Sequence, residues 1–108
     1  MKYHVVITDS ALLDIELIAQ YLNEFESDRR SIYIVKALLK CIDTLERYPM
    51  RGAIPVELRT SGSDSIRQLI IHHYRIIYYV ERSVVTILLV ADGRRRLDVL
   101  IRSRIFAR

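Results

Sequence analysis

The chain has 108 residues, 51% of them apolar and 28% charged, with a formal net charge of +4 at pH 7. That is the length of one folded domain with a single modest core, and it is too apolar for a disordered tail. One cysteine (Cys41) excludes an internal disulfide, and no run reaches the ~18 uncharged apolar residues of a membrane span. The opening segment MKYHVVITDS has too short an apolar run for a secretory signal, so one cytoplasmic domain over residues 1–108, with no membrane partner, is the expectation. Fourteen of the 17 basic residues are Arg, since Lys occurs only at positions 2, 36 and 40. This favours bidentate contacts to carboxylate or phosphate over diffuse solvation.

Tyr3 to Ile7 reads as a first strand, rich in β-branched residues. Thr8 or Asp9 then offers an N-cap for a helix over residues 9 to 25. Its stripe is Ala11, Ile15, Ile18, Ala19, Leu22 and Phe25, with Asp14, Gln20 and Glu24 facing water. Ser27 caps a second helix, with Asp28 in its first turn. Here the stripe is Ile34, Leu38, Cys41, Ile42 and Leu45, and the pattern stops at Tyr48-Pro49. Two helices joined by so short a linker run antiparallel, and each needs something to bury its apolar side.

From Arg51 to Ser65 the chain is rich in Gly, Pro and Ser and reads as a loop, with a short strand predicted at Val56 to Arg59. Three strands follow, Ile66–Ile71, Tyr74–Val80 and Val84–Val90, with tight turns at His72-His73 and Glu81-Arg82-Ser83. The last two are apolar at odd and even positions alike, so both faces of the meander must be covered. The helical hairpin can cover one face; the chain terminus, a second copy or a partner protein covers the other. Leu97, Leu100, Ile101 and Ile105 fit a short terminal helix set among Arg94, Arg95, Arg96, Arg102 and Arg104. The fold class expected is α+β: a strand, a helical hairpin, a twisted and mainly antiparallel sheet, and a short C-terminal helix.

No constellation in the sequence calls for a cofactor or metal. Neighbouring His72 and His73 tend to point to opposite faces, Cys41 lies on an apolar stripe, and Gly52, Gly62 and Gly93 are isolated turn residues. There is no nucleophile elbow. The informative groups are arginines. Arg75 sits inside the apolar strand Tyr74-Arg75-Ile76-Ile77-Tyr78, where it needs a carboxylate, a set of carbonyls or a wet surface; Asp92 is one internal candidate. Gly93-Arg94-Arg95-Arg96 fixes three guanidinium groups at a sheet end, suited to RNA phosphates or an acidic protein surface. Metal-free RNA cleavage further requires a base, a cation and an acid in one cleft. Arg75, Arg95 and His73 are the residues available for it.

The element order, with Tyr74-Arg75-Ile76-Ile77-Tyr78 and Val90-Ala91-Asp92-Gly93-Arg94-Arg95, resembles the ParE/RelE toxin superfamily over essentially the whole chain. The resemblance implies a toxin with a cognate antitoxin, whose acidic C-terminal segment covers the sheet face left bare by the helices. RelE-like members cleave mRNA on the ribosome. Here Arg75 and Arg95 match their arginines, whereas Ile101 stands at the position of their tyrosine and the loop before the meander has no lysine. ParE-like members inhibit DNA gyrase by binding. The opening Ile7-Thr8-Asp9-Ser10-Ala11 and the apolar first helix resemble that branch, although many of its members carry His where Asp92 stands. The expected function is therefore gyrase inhibition, with a ribosome-dependent endoribonuclease as the alternative. A degenerate, non-toxic relative is a third reading. The expected partner contacts are Arg75, Tyr78, Arg94, Arg95, Arg96, Leu97, Leu100, Ile101 and Ile105.

Overall fold

The computed structural model describes residues 2–107. A short strand β1 (His4–Ile7) leads into α1 (Asp9–Phe25) and α2 (Asp28–Asp43), and a meander follows of β2 (Ile66–Ile71), β3 (Tyr74–Glu81) and β4 (Val84–Asp92). The chain then closes with α3 (Asp98–Ala107). The caps are those the sequence offered. Thr8 Oγ1 accepts the Ala11 N–H at 3.1 Å while its hydroxyl donates to the Ile87 carbonyl at 2.8 Å, tying the start of α1 to β4. Ser27 Oγ accepts the Arg30 N–H at 3.0 Å. Buried Ser31 donates from its hydroxyl to the Ala19 carbonyl at 3.0 Å, joining the two helices.

The sheet order is β1-β4-β3-β2, with β1 parallel to β4 and the other pairs antiparallel. His72 and Arg82 adopt φ of 56° and 58° at the two hairpin tips, the left-handed conformation that such short turns demand. Ile15 and Leu22 of α1 and Ile34, Leu38 and Ile42 of α2 pack on the first face of the sheet, against Ile76, Tyr78, Val85, Ile87 and Val90. Between β3 and β4 the register jumps. Ile77 pairs with Leu89 but Tyr78 pairs with Ile87, which leaves Leu88 as an extra residue. This β-bulge breaks the alternation, so consecutive Leu88 and Leu89 both join the core of the second face.

That second face is covered by the chain itself. Leu97 and Ile101 are buried on it, with Leu100 and Ile105 at their flank and Leu58 from the preceding loop, against Ile66, Ile77, Leu88, Leu89 and Ala91. Of the three occupants the sequence left open, the terminus is the one observed. A bare sheet face awaiting an antitoxin does not exist, because α3 already removes its apolar area from water. Three local expectations also change. Val56–Leu58 forms a 3-10 turn, and the strand-like pairing of that loop is the single bridge between Ala53 and Gln68. Phe25 lies outside the core, 64% exposed, with its ring 4.9 Å from that of Tyr21. Asp14, expected to face water, is largely buried and fully bonded. No helix among the described residues is long and apolar enough to cross a membrane.

Replacing Ile101 by Ala should lower the free energy of unfolding in urea by about 2–5 kcal/mol, as expected for truncation in a closed core. A loss near zero would mean that the second face is open to solvent.

Candidate functional site

Arg75 is the second residue of β3, on the second face of the sheet, 7% exposed. Its Nη1 and Nη2 donate to the two carboxylate oxygens of Glu57, each at 2.7 Å, and its Nε donates to Gln68 Oε1 at 2.7 Å. The aliphatic stem lies against Gly93, where a Cβ would come within 2.7 Å of Arg75 Cγ. The carboxylate that a buried arginine requires is thus supplied by the loop, and the candidate pairing with Asp92 is not formed. Arg75 holds the Glu57 carboxyl below its ordinary range through these hydrogen bonds, against the opposing effect of burial. Tyr78, on the other face, is completely buried, and its hydroxyl oxygen accepts the Gly52 N–H at 3.0 Å. Burial pushes its phenol up from the usual value. Both residues therefore bind the 51–58 loop to the sheet and offer no surface to a partner.

The open site lies between α1, the end of β4 and the start of α3. It is a groove of about 570 Å³ with Leu17, Ile18, Tyr21, Tyr74 and Val90 along it and His73, Asp92, Arg94 and Arg95 at one end. His73 Nε2 is 3.8 Å from Asp92 Oδ2, and its ring lies 4.4 Å from that of Tyr74. His72 points elsewhere, edge-on to Tyr33 at 5.4 Å. Arg94 donates through Nη2 to Asp92 Oδ2 at 2.6 Å and through Nε to Oδ1 at 3.0 Å, and this holds the Asp92 carboxyl far below the usual carboxylate range. Arg96 lies 3.4 Å from Asp98 in an exposed pair of little energetic weight. Arg95 is exposed and has no ion-pair partner among the described residues.

Of the residues the sequence nominated, His73, Arg94, Arg95 and Leu100 line this one groove. Arg75 is not among the residues that line it, so the strand arginine and His73 do not share this groove. Ile101, at the expected tyrosine position, is buried with Leu97 in the second core, where both pack against the chain's own sheet. Ile105 is partly buried beside them. Outward, α3 instead presents Val99, 76% exposed, and Phe106, 87% exposed, with exposed Arg102 between them. The sequence reading named Arg102 but passed over Val99 and Phe106, although the spacing of three and four marks the side opposite Leu97 and Ile101. It also missed a second apolar line on α1, exposed Leu13, Leu17, Tyr21 and Phe25, which recurs at every fourth residue.

Removing one member of the buried pair, as in Glu57→Ala, should cost about 3–5 kcal/mol of unfolding free energy in urea, because the Arg75 charge stays buried without its counterion. Since the folded-state pKa of Glu57 is depressed, its contribution is present at neutral pH and is lost as pH falls through the carboxylate range, about 4.3 in unfolded chains. Glu57→Gln should therefore be less stable at pH 7 and lose less on acidification than the parent. Equal acid sensitivity in the two proteins would contradict the pairing.

Known proteins agree with this architecture. A solved structure described as the chromosomal ParDE TA system from P. aeruginosa superposes with a TM-score of 0.69 at 16% identity, covering 84% of this chain and 96% of that one. A doubly arginine-to-alanine mutant of E. coli toxin RelE in the free state superposes with a TM-score of 0.63 at 14% identity, covering 99% and 98%. No curated protein matches the sequence closely. The profile of the family described as ParE toxin of type II toxin-antitoxin system, parDE, matches residues 5–97, and the chain belongs to that family.

Proposed function

We propose that this protein is a toxin of the ParE type, which acts by binding DNA gyrase and is neutralised by the antitoxin of its own pair. The observation that carries this reading is the family match across residues 5–97. The placement of Arg75 supports it against the endoribonuclease alternative. The strand guanidinium that metal-free RNA cleavage would use is saturated by Glu57 and Gln68, outside the lining of the groove that holds His73 and Arg95. A cation already neutralised by its own chain has little left to stabilise a phosphorane. In this reading the acidic segment of the antitoxin meets the groove, whose end carries Arg94 and Arg95, and not the face under α3. The gyrase contact falls to the exposed side of α3.

The decisive assay is supercoiling by purified gyrase with toxin freed of antitoxin. The expected result is loss of supercoiling with accumulation of cleaved DNA, reversed by adding the antitoxin. Undisturbed supercoiling at excess toxin would overturn the proposal. Codon-positioned cuts in cellular transcripts under the same expression would establish the endoribonuclease, and harmless expression without antitoxin would point to the non-toxic relative. Arg75→Ala is a poor probe of RNA cleavage, because it strands the Glu57 carboxylate and weakens the fold. Arg95→Ala, at an exposed position, tests the same question without that penalty.

A further inference from the structure

Asp14 and Arg104 stand on α1 and α3, helices on opposite faces of the sheet, and lie 90 residues apart in the chain. They meet at a gap in the sheet. The strand β1 stops at Ile7, paired with Ile87, so β4 runs on past it as an unpaired edge. Just beyond, at the bulge, Arg104 Nη1 donates to the Leu88 carbonyl at 2.8 Å and to Asp14 Oδ2 at 2.9 Å, while Nη2 donates to Asp14 Oδ1 at 2.8 Å. Asp14 Oδ2 also accepts the Val90 N–H at 3.0 Å. One donor and one acceptor thus do for Leu88 and Val90 what a neighbouring strand would do, and they close the edge.

The same pair fixes α3. A helix of ten residues is too short to be stable alone in water, where about 12–15 residues are needed. Its hold through Leu97, Ile101 and Ile105 is apolar, and apolar burial is non-directional. It sets how closely the helix lies on the sheet but not its rotation or its slide along it. A bidentate guanidinium–carboxylate pair, anchored in turn to two backbone groups of β4, supplies that direction.

We propose that Asp14 and Arg104 are positioning residues for the activity of the protein. They clamp α3 across the β4 edge so that Val99, Arg102 and Phe106 project as a fixed ridge toward the target. This rests on the reading above, in which the exposed side of α3 meets gyrase. Asp14 also lines the groove, whereas Arg104 belongs to neither the groove lining nor the ridge, so an Arg104 variant reads the effect transmitted through the helix.

The test combines amide hydrogen exchange, supercoiling inhibition and antitoxin binding on Asp14→Asn, Arg104→Met and Arg104→Lys. Asn keeps an acceptor for the Val90 N–H but loses the charge, and Met keeps the stem but not the donors. Both should speed exchange of the α3 amides on the order of tenfold or more, as for a broken, largely buried ion pair. Both should also weaken gyrase inhibition by a comparable factor while exchange in β3 stays unchanged, and Arg104→Met, outside the groove lining, should leave antitoxin binding unchanged. Lys, which retains a donor and the charge, should recover most of the activity even if the other two variants fail to fold. Parental α3 exchange in the Asn and Met variants would overturn the clamp. Loosened α3 with full gyrase inhibition would overturn its positioning role. If the parent protein itself fails to inhibit gyrase, the reading above falls, and the exchange measurement still decides whether the clamp exists.

Discussion

A sheet that is apolar on both faces has to be covered twice, and the rest of this structure follows from how one short chain does so. The helical hairpin takes one face. The other is left to a ten-residue helix, which can reach it only because the chain turns back immediately after β4. The extra residue at Leu88 matters for that second layer. Without it, Leu88 and Leu89 would fall on different faces, and α3 would lose one of the two leucines it packs against. The bulge, the closed edge of β4 and the placement of α3 are therefore one arrangement.

Covering the sheet from within changes what the arginines mean. Arg75, which looked in the sequence like a candidate for an anionic partner, is used up by Glu57 in a bidentate pair, as Arg104 is by Asp14. Arg94 is matched by Asp92. The basic surface left for a partner is smaller than the composition suggested, and it is concentrated after Gly93 and along the outer side of α3. For a protein of the ParE toxin family this separates two surfaces. The apolar groove, with Arg94 and Arg95 at its end, takes only Leu100 from α3, whereas Val99 and Phe106 are exposed outside its lining. Such a separation suits a toxin that must meet both an antitoxin and a target.

Much of the fold could be read from the sequence because its periodic segments are unambiguous. Thr8 and Ser27 were visible as caps, the stripes of α1 and α2 repeat at three and four, and the turns of the meander fall at His72-His73 and Arg82-Ser83. The bulge was hidden by the feature that made β4 recognisable. With apolar residues at all but one position from Val84 to Ala91, parity gives no sign of where a residue has been inserted. The site was less legible. Glu57 lies in an aperiodic loop 18 residues before Arg75, and no local pattern announces a partner at that distance. Asp14 sits at the edge of the apolar stripe of α1, where a carboxylate ordinarily faces water, and only the fold brings Arg104 to it. At α3 no pattern in ten residues tells which side meets the chain's own sheet, and it is Leu97, just before the helix, and Ile101 that are buried there.

The central claim is that the C-terminal helix of the isolated protein lies on the second face of its own sheet. The direct measurement is a set of methyl–methyl NOEs on the protein alone in solution, with labelled isoleucine and leucine side chains. Cross-peaks from Ile101 to Ile77 and to Leu88 or Leu89 are the result this account predicts. An Ile101 methyl with solvent-averaged shifts and no contact to β3 or β4 would contradict it, and would return the second face of the sheet to an outside partner.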